Sequence, residues 1–268
     1  MASIDGEKLN KAVDDLAGGM RSWRLWFLLG VNEIRHRYRR STIGPFWLTL
    51  SMGVQATVMG VLFGFLFQHN LERFLPYLCI SLVVWNSIQS IVNEGSMAFI
   101  SATGLIMQVK RPLSACIYQV IWRNLLISAH TIVIFFVVSL IFGLYPSWTY
   151  IFFIPGLLLL VANVSWMAFT AAILSARFRD VPMIIQNSFT VLFWLTPVLY
   201  MPSQMKGRME LVILFTPFSH FLEVVRSPLL GAMPSAINWS VPICTAICGW
   251  ILAIFLFART RSRIPYWL

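Results

Sequence analysis

Between residues 124 and 176 the chain carries no Asp, Glu, Lys or Arg. A helix needs about 20 apolar residues to cross some 30 Å of hydrocarbon. The stretch is therefore too long for one crossing and suited to two, with Gly143, Pro146 and Ser147 supplying a turn near its middle. The same pattern recurs along the chain, and spans are expected over 46–67, 74–92, 119–142, 148–174, 181–200 and 239–258. Only 11% of the 268 residues are charged and 58% are hydrophobic, whereas a soluble domain is roughly 25% charged. Most of the surface must face lipid. The expectation is an all-α integral membrane protein of six transmembrane helices, with 41–258 forming one membrane domain.

One apolar segment is too short to cross. Residues 211–222 are interrupted by Pro217 and followed by Glu223, Arg226 and Pro228. The stretch 211–230 reads as a re-entrant hairpin before the last span, with an ordinary apolar loop as the plainer alternative.

Six crossings place both ends on one side. That side then holds all of the 20 basic residues except Arg73, Lys206, Arg208 and Arg226. Lys and Arg collect in cytoplasmic loops, so both termini are expected in the cytoplasm and the protein in the plasma membrane. The net charge of +10 needs no nucleic acid to explain it. Residues 1–22 contain Asp5, Glu7, Asp14 and Asp15 and lack a signal-peptide apolar core, so they read as a poorly ordered cytoplasmic tail. Residues 259–268 read as a second tail.

Residues 23–40 carry Trp23, Trp26, Phe27, Val31, Ile34 and Tyr38 at three- and four-residue spacing, with Arg24, Asn32, Arg35 and Arg39 opposite. This is an amphipathic helix suited to the membrane interface. Glu33 is placed to pair with Arg37. Arg35, His36, Arg37, Arg39 and Arg40 either anchor anionic lipid headgroups or meet a phosphate-bearing substrate, whose oxygens guanidinium groups match.

No catalytic constellation is present. None of the four lysines begins a phosphate-loop Lys-Ser/Thr pair, and there is no H-E-x-x-H or C-x-x-C. Cys79, Cys116, Cys244 and Cys248 read as apolar filler, and no metal site is expected. His130, inside a span, suits a bond to a neighbouring helix. The spans hold no carboxylate apart from Glu94 at an end, which argues against proton coupling. Aromatics are abundant, and most belong to lipid-facing packing and the interfacial belt. A minority of Phe63, Phe67, Trp85, Phe189, Phe193 and Tyr200 could line a path on which sugar rings stack.

The segment Arg37-Tyr38-Arg39-Arg40-Ser41-Thr42-Ile43-Gly44-Pro45-Phe46-Trp47 resembles the approach to the first span in permease subunits of type-two ABC exporters for polysaccharides, with Ile43 where Leu is more usual. Arg177-Phe178-Arg179-Asp180-Val181-Pro182, with Phe193-Trp194-Leu195-Thr196-Pro197-Val198 and Tyr200, is similar to the same family's fifth span. The resemblance covers nearly the whole chain. It implies a homodimer of permease chains above two separate ATPase subunits, which bind ATP and Mg while this chain binds no cofactor. It implies export of lipid-linked (undecaprenyl-diphosphate) polysaccharide such as O-antigen, capsule or teichoic acid.

Carried over residue by residue, the resemblance assigns Arg35, Arg37, Tyr38, Arg39, Arg40 and Gly44 to admission of the lipid pyrophosphate. It places ATPase docking in the loop 96–111, at Phe99, Ile100, Leu105, Ile106, Met107 and Lys110. An outer gate falls at Pro217, His220, Glu223 and Arg226. The rival readings are a type-two ABC exporter of small molecules and a membrane enzyme acting on lipid-linked sugars. The second of these needs a carboxylate or His cluster at a membrane face that the sequence lacks.

Overall fold

The computed structural model describes residues 6–44, 46–66, 70–202 and 213–268. All regular structure among them is helical. Two helices precede the first span, α1 (Gly6–Arg21) and α2 (Trp23–Tyr38). Then come α3 (Phe46–Leu66), α4 (Leu71–Ser96), the short α5 (Ala98–Ser101) and α6 (Thr103–Gln108), and α7 (Ser114–Ile141). A 3-10 turn, Trp148–Phe152, leads into α8 (Phe153–Arg177), followed by α9 (Val181–Leu195), α10 (Pro217–Leu229), α11 (Ala236–Thr260) and α12 (Ile264–Trp267).

Five of these segments are long and apolar enough to cross a membrane: Phe46–Leu66, Leu71–Ser96, Ser114–Ile141, Trp148–Arg177 and Ala236–Thr260. The protein is a multi-pass membrane protein. The expected span over 181–200 is represented by a helix of only 15 residues, α9, about 22 Å long at 1.5 Å per residue. Pro182 opens it at a position where a missing N–H costs nothing. Its last residues give way to an extended segment at Thr196, whose backbone bonds are completed by side chains of α4 and α10.

Helix ends follow local chemistry. Asn70 caps α4 by accepting from the Glu72 N–H at 2.9 Å. Gly143, at φ +70°, ends α7 in the left-handed region that a side chain disfavours. Ser235 accepts from the Asn238 N–H to start α11.

α4 is the central helix, enclosed along most of its length by α3, α7, α8, α9 and α10. Lipid provides no hydrophobic drive between helices, so close packing needs small residues at the contacts. A Cβ at Gly60 would fall 2.4 Å from Leu75 of α4, and one at Gly249 would fall 2.1 Å from the Trp166 ring. These glycines set the spacing of α3 on α4 and of α11 on α8.

The N-terminal segment departs from expectation. Residues 6–21 are a docked helix rather than a poorly ordered tail. Asp15 is buried, and its two carboxylate oxygens accept from the Leu113 and Ser114 N–H groups at 3.3 and 3.0 Å, capping α7 from another element. Arg261, just past α11, donates Nε to the same carboxylate at 2.7 Å. α1 therefore ties the start of α7 to the end of α11. Residues 259–268 likewise pack against the bundle, with Ile264 buried and α12 lying on α6 and α8.

Candidate functional site

α2 lies against α7 through aromatic contacts. Phe27 stacks on Trp122 at 5.0 Å between centroids, and Trp26 lies 6.1 Å from the same ring. A Cβ at Gly30 would meet Trp122 at 3.0 Å, so the glycine permits the approach. This docking turns Glu33 towards α7. The expected Glu33–Arg37 pair does not form, and Glu33 instead binds Gln119 and Arg123. Arg123 reaches the other way with Nη2, 2.6 Å from Oε2 of Glu94 on α4. The neighbouring Asn124 donates Nδ2 to that same oxygen at 2.6 Å. A chain of charge-assisted bonds thus links α2, α7 and α4 at the basic end of the bundle.

Two cavities meet at this chain. The first, about 660 Å³, opens at the basic end between α2, α4, α6 and α7 and is lined by Glu33, Arg37, Glu94, Arg111 and Arg123 among others. The second, about 250 Å³, lies within the spans between α3, α4 and α7. Its walls carry Ser51, Gln55, Asn86, Ser90, Asn124 and Ser128, and no charged side chain. Glu94 belongs to the first cavity, Asn124 to the second, and the bond between them is the partition.

Helical periodicity builds this corridor. Asn86, Ser90 and Asn93–Glu94 recur every three or four residues down one face of α4. Gln119, Arg123–Asn124, Ser128 and Thr131 do the same on α7, and Ser51 and Gln55 on α3. Ser87 and Ser128 close the ladder across α4 and α7 with hydroxyls 2.6 Å apart. Among the described residues Ser51, Gln55 and Ser90 have no side-chain partner, and the Asn86 amide has only the Met52 thioether at 3.7 Å. A polar group left unpaired in hydrocarbon costs several kcal/mol. This face is therefore not a lipid face. The signal is present in the sequence as uncharged polar residues at helical spacing inside apolar spans, and a search restricted to charges passes over it.

The basic cluster stands at the open end of the corridor. Arg35, Arg37, Arg39 and Arg40 are exposed, Tyr38 is half-buried, and none of the four guanidinium groups has a bonded partner among the described residues. Gly44 holds φ +62°, and its N–H donates to Ser41 Oγ at 3.1 Å, making the turn that precedes α3. Pro45 lies outside the described residues.

Several expected site residues are placed otherwise. Phe99 is fully buried on α5, which packs against α7 and α8, so it is not available as a docking contact. Leu105, Met107 and Lys110 are exposed, and Ile100 and Ile106 are half-buried. Trp85 and Phe189 are enclosed rather than lining a path. Trp85 sits 5.8 Å from Phe189, 5.9 Å from Phe193 and 5.9 Å from Phe218, an aromatic cluster that fixes α4 against α9 and α10. Phe63 and Tyr200 are half-buried. Phe67 lies outside the described residues, as do Lys206, Arg208 and the first two positions of the expected hairpin.

The residues expected at an outer gate divide. Pro217 is exposed and His220 is buried, its ring 2.7 Å from Asn238 Oδ1 and 2.9 Å from the Leu214 carbonyl. Arg226 pairs with Glu223 as its spacing suggests, but it is wholly enclosed. Nη1 donates to Ser81 Oγ at 2.8 Å and to the Pro197 carbonyl at 2.7 Å, and the guanidinium lies 4.1 Å from the Tyr77 ring centroid. These contacts hold α10 to α4 and to the segment after α9, so Arg226 acts as a staple rather than facing a passage. His130 bonds back to the Leu126 carbonyl of its own helix at 2.8 Å, while its backbone carbonyl accepts from Thr49 of α3. Among the described residues no His, Cys, Asp and Glu cluster suits a metal.

The chain is similar to a protein named O-antigen export system permease protein RfbA from Myxococcus xanthus, 26% identical over 168 residues. That match covers 63% of this chain and 65% of the relative, just under two thirds of its length. A protein of the same name from Klebsiella pneumoniae is 20% identical over 86% of this chain and 90% of its own. The family model described as ABC-2 type transporter matches residues 24–230, from the first turn of α2 through the end of α10. The chain belongs to the ABC-2 type transporter family.

Proposed function

We propose that this chain is the permease of an ATP-driven exporter that moves a lipid-linked polysaccharide of the O-antigen class outward across the bacterial inner membrane. The observation that carries the reading is the corridor: exposed arginines and a charged cavity at the basic end lead to an uncharged polar cavity among the spans. A diphosphate-linked glycan has that order of chemistry, with anionic head and hydroxyl-rich body. The names of the Myxococcus and Klebsiella relatives support the same cargo.

In this reading the chain makes six crossings, α9 with the segment beyond it serving as the fifth, and α10 belongs to a re-entrant hairpin. α2 lies in the interface, and both termini are cytoplasmic. Arg35, Arg37, Arg39 and Arg40 attract the diphosphate, and two copies of the chain enclose the passage. ATP and Mg are bound by two separate ATPase subunits that dock on α6 and the residues just after it through Leu105, Met107 and Lys110, all exposed. Nucleotide-driven closure of those subunits would move α5 and α6. α5 packs against α7 and α8, which passes the motion to the corridor walls.

The test is transport in vesicles containing the permease and its ATPase. ATP-dependent translocation of an undecaprenyl-diphosphate oligosaccharide is expected, and its absence with an active ATPase refutes the reading. Deletion of 96–111 should abolish ATPase recovery in a pull-down, and retention would refute the docking assignment.

A further inference from the structure

The polar side chains of the intramembrane cavity are amides and hydroxyls alone, set among Leu48, Met52, Val83 and Ile127. Gln55 and Ser51 are exposed on α3, and Asn86 and Ser90 face them from α4. Deeper in, Asn124 is committed to Glu94, and Ser87 to Ser128. The rim therefore keeps its hydrogen-bonding capacity for a ligand, while the floor is already satisfied. A carboxamide offers donors and an acceptor together, the pairing that vicinal ring hydroxyls require. No Lys, Arg or His lines the cavity, and the guanidinium of Arg123, the residue before Asn124 on α7, is held by two carboxylates across the partition. An anionic group brought here would lose its hydration without gaining a counter-charge, which costs far more than placing a neutral polar one.

From this we infer that the cavity between α3, α4 and α7 is a sugar subsite that selects neutral hexose units and rejects uronic or otherwise acidic ones, with Gln55 and Asn86 as the specificity-determining residues. The inference rests on the export reading above and adds to it a substrate class: glycans whose units are uncharged. The negative charge of the cargo is then confined to its diphosphate, which the exposed arginines meet outside the cavity. Selection acts on each unit as it passes, by the unpaired hydrogen bonds and unmet charge that a wrong unit would leave.

The experiment uses vesicles containing the permease with its ATPase and two undecaprenyl-diphosphate hexasaccharides, one all-hexose and one with a single hexose replaced by a hexuronic acid. Wild-type protein should translocate the neutral probe at least about tenfold faster than the acidic one. Gln55→Leu and Asn86→Leu should each slow the neutral probe about tenfold. Ser90→Ala, which removes one hydroxyl and little volume, should slow it about threefold. Gln55→Lys should invert the preference by giving the acidic probe a counter-charge, a gain that misfolding cannot produce. Equal wild-type rates for the two probes, or an unchanged ratio in Gln55→Lys, would overturn the subsite while leaving the export reading intact. Transport of neither probe would remove both. Spontaneous disulfide formation between protomers of Gln55→Cys in the resting transporter would show the rim closed on its twin, and would also overturn the subsite.

Discussion

Oε2 of Glu94 on α4 accepts from Nδ2 of Asn124 on α7 at 2.6 Å, and this one bond separates the charged cavity at the basic end from the uncharged cavity within the spans. Neither residue is remarkable in sequence. One is a carboxylate at a helix end, the other an amide in a long apolar run. Their junction exists only because α4 and α7 pack side by side with matched polar faces.

Asn124→Leu should break the partition. Glu94 keeps Arg123 but loses its second donor while partly buried, and leaving such a group under-satisfied costs about 1–3 kcal/mol. Thermal unfolding of the detergent-solubilised protein should shift downward accordingly. Restoration by the added change Glu94→Gln would tie the loss to the stranded carboxylate, and no restoration would point to packing instead.

Arg226→Ala is expected to cost about 3–5 kcal/mol, because it strands Glu223 beside three lost bonds in an enclosed site. The double change Arg226→Met, Glu223→Gln should recover much of that, since a buried ion pair is replaceable by apolar packing when both members go. Melting temperatures of the single and double variants distinguish a staple from a gate. A gate residue would instead leave stability unchanged and alter transport.

Asp15→Ala removes the cap on α7 and the pair with Arg261 at once. A loss of about 1–2 kcal/mol is expected from the cap, and limited proteolysis should cut the α1–α2 junction near Ser22 faster than in wild type. Unchanged cleavage would show that the aromatic contacts of α2 hold the segment without α1.

Reversing charge at Arg39 and Arg40 together, as Arg39→Glu and Arg40→Glu, should leave folding within about 0.5 kcal/mol of wild type, because both side chains are exposed and unpaired. Transport of a diphosphate-linked substrate should fall at least about tenfold. Normal transport by this variant would return the two arginines to headgroup anchoring.

The membrane class and the positions of the five long helices were legible from local chemistry, because lipid enforces length and apolarity residue by residue. The turn at Gly143 followed from a backbone conformation that few residues adopt. The Glu223–Arg226 pair was legible too, since it depends only on spacing within one helix. Only the tertiary structure decided which partners Glu33, Arg123 and Asp15 take, for each reaches an element far along the chain. It likewise decided which aromatics are enclosed: Trp85 and Phe189 face one another because α4, α9 and α10 converge, and no periodicity within α4 records that convergence. The polar corridor lies between these cases. Its residues are visible one helix at a time, but a cavity is a property of three helices together, and the physical cost of unpaired amides in hydrocarbon acquires meaning only when their facing is known.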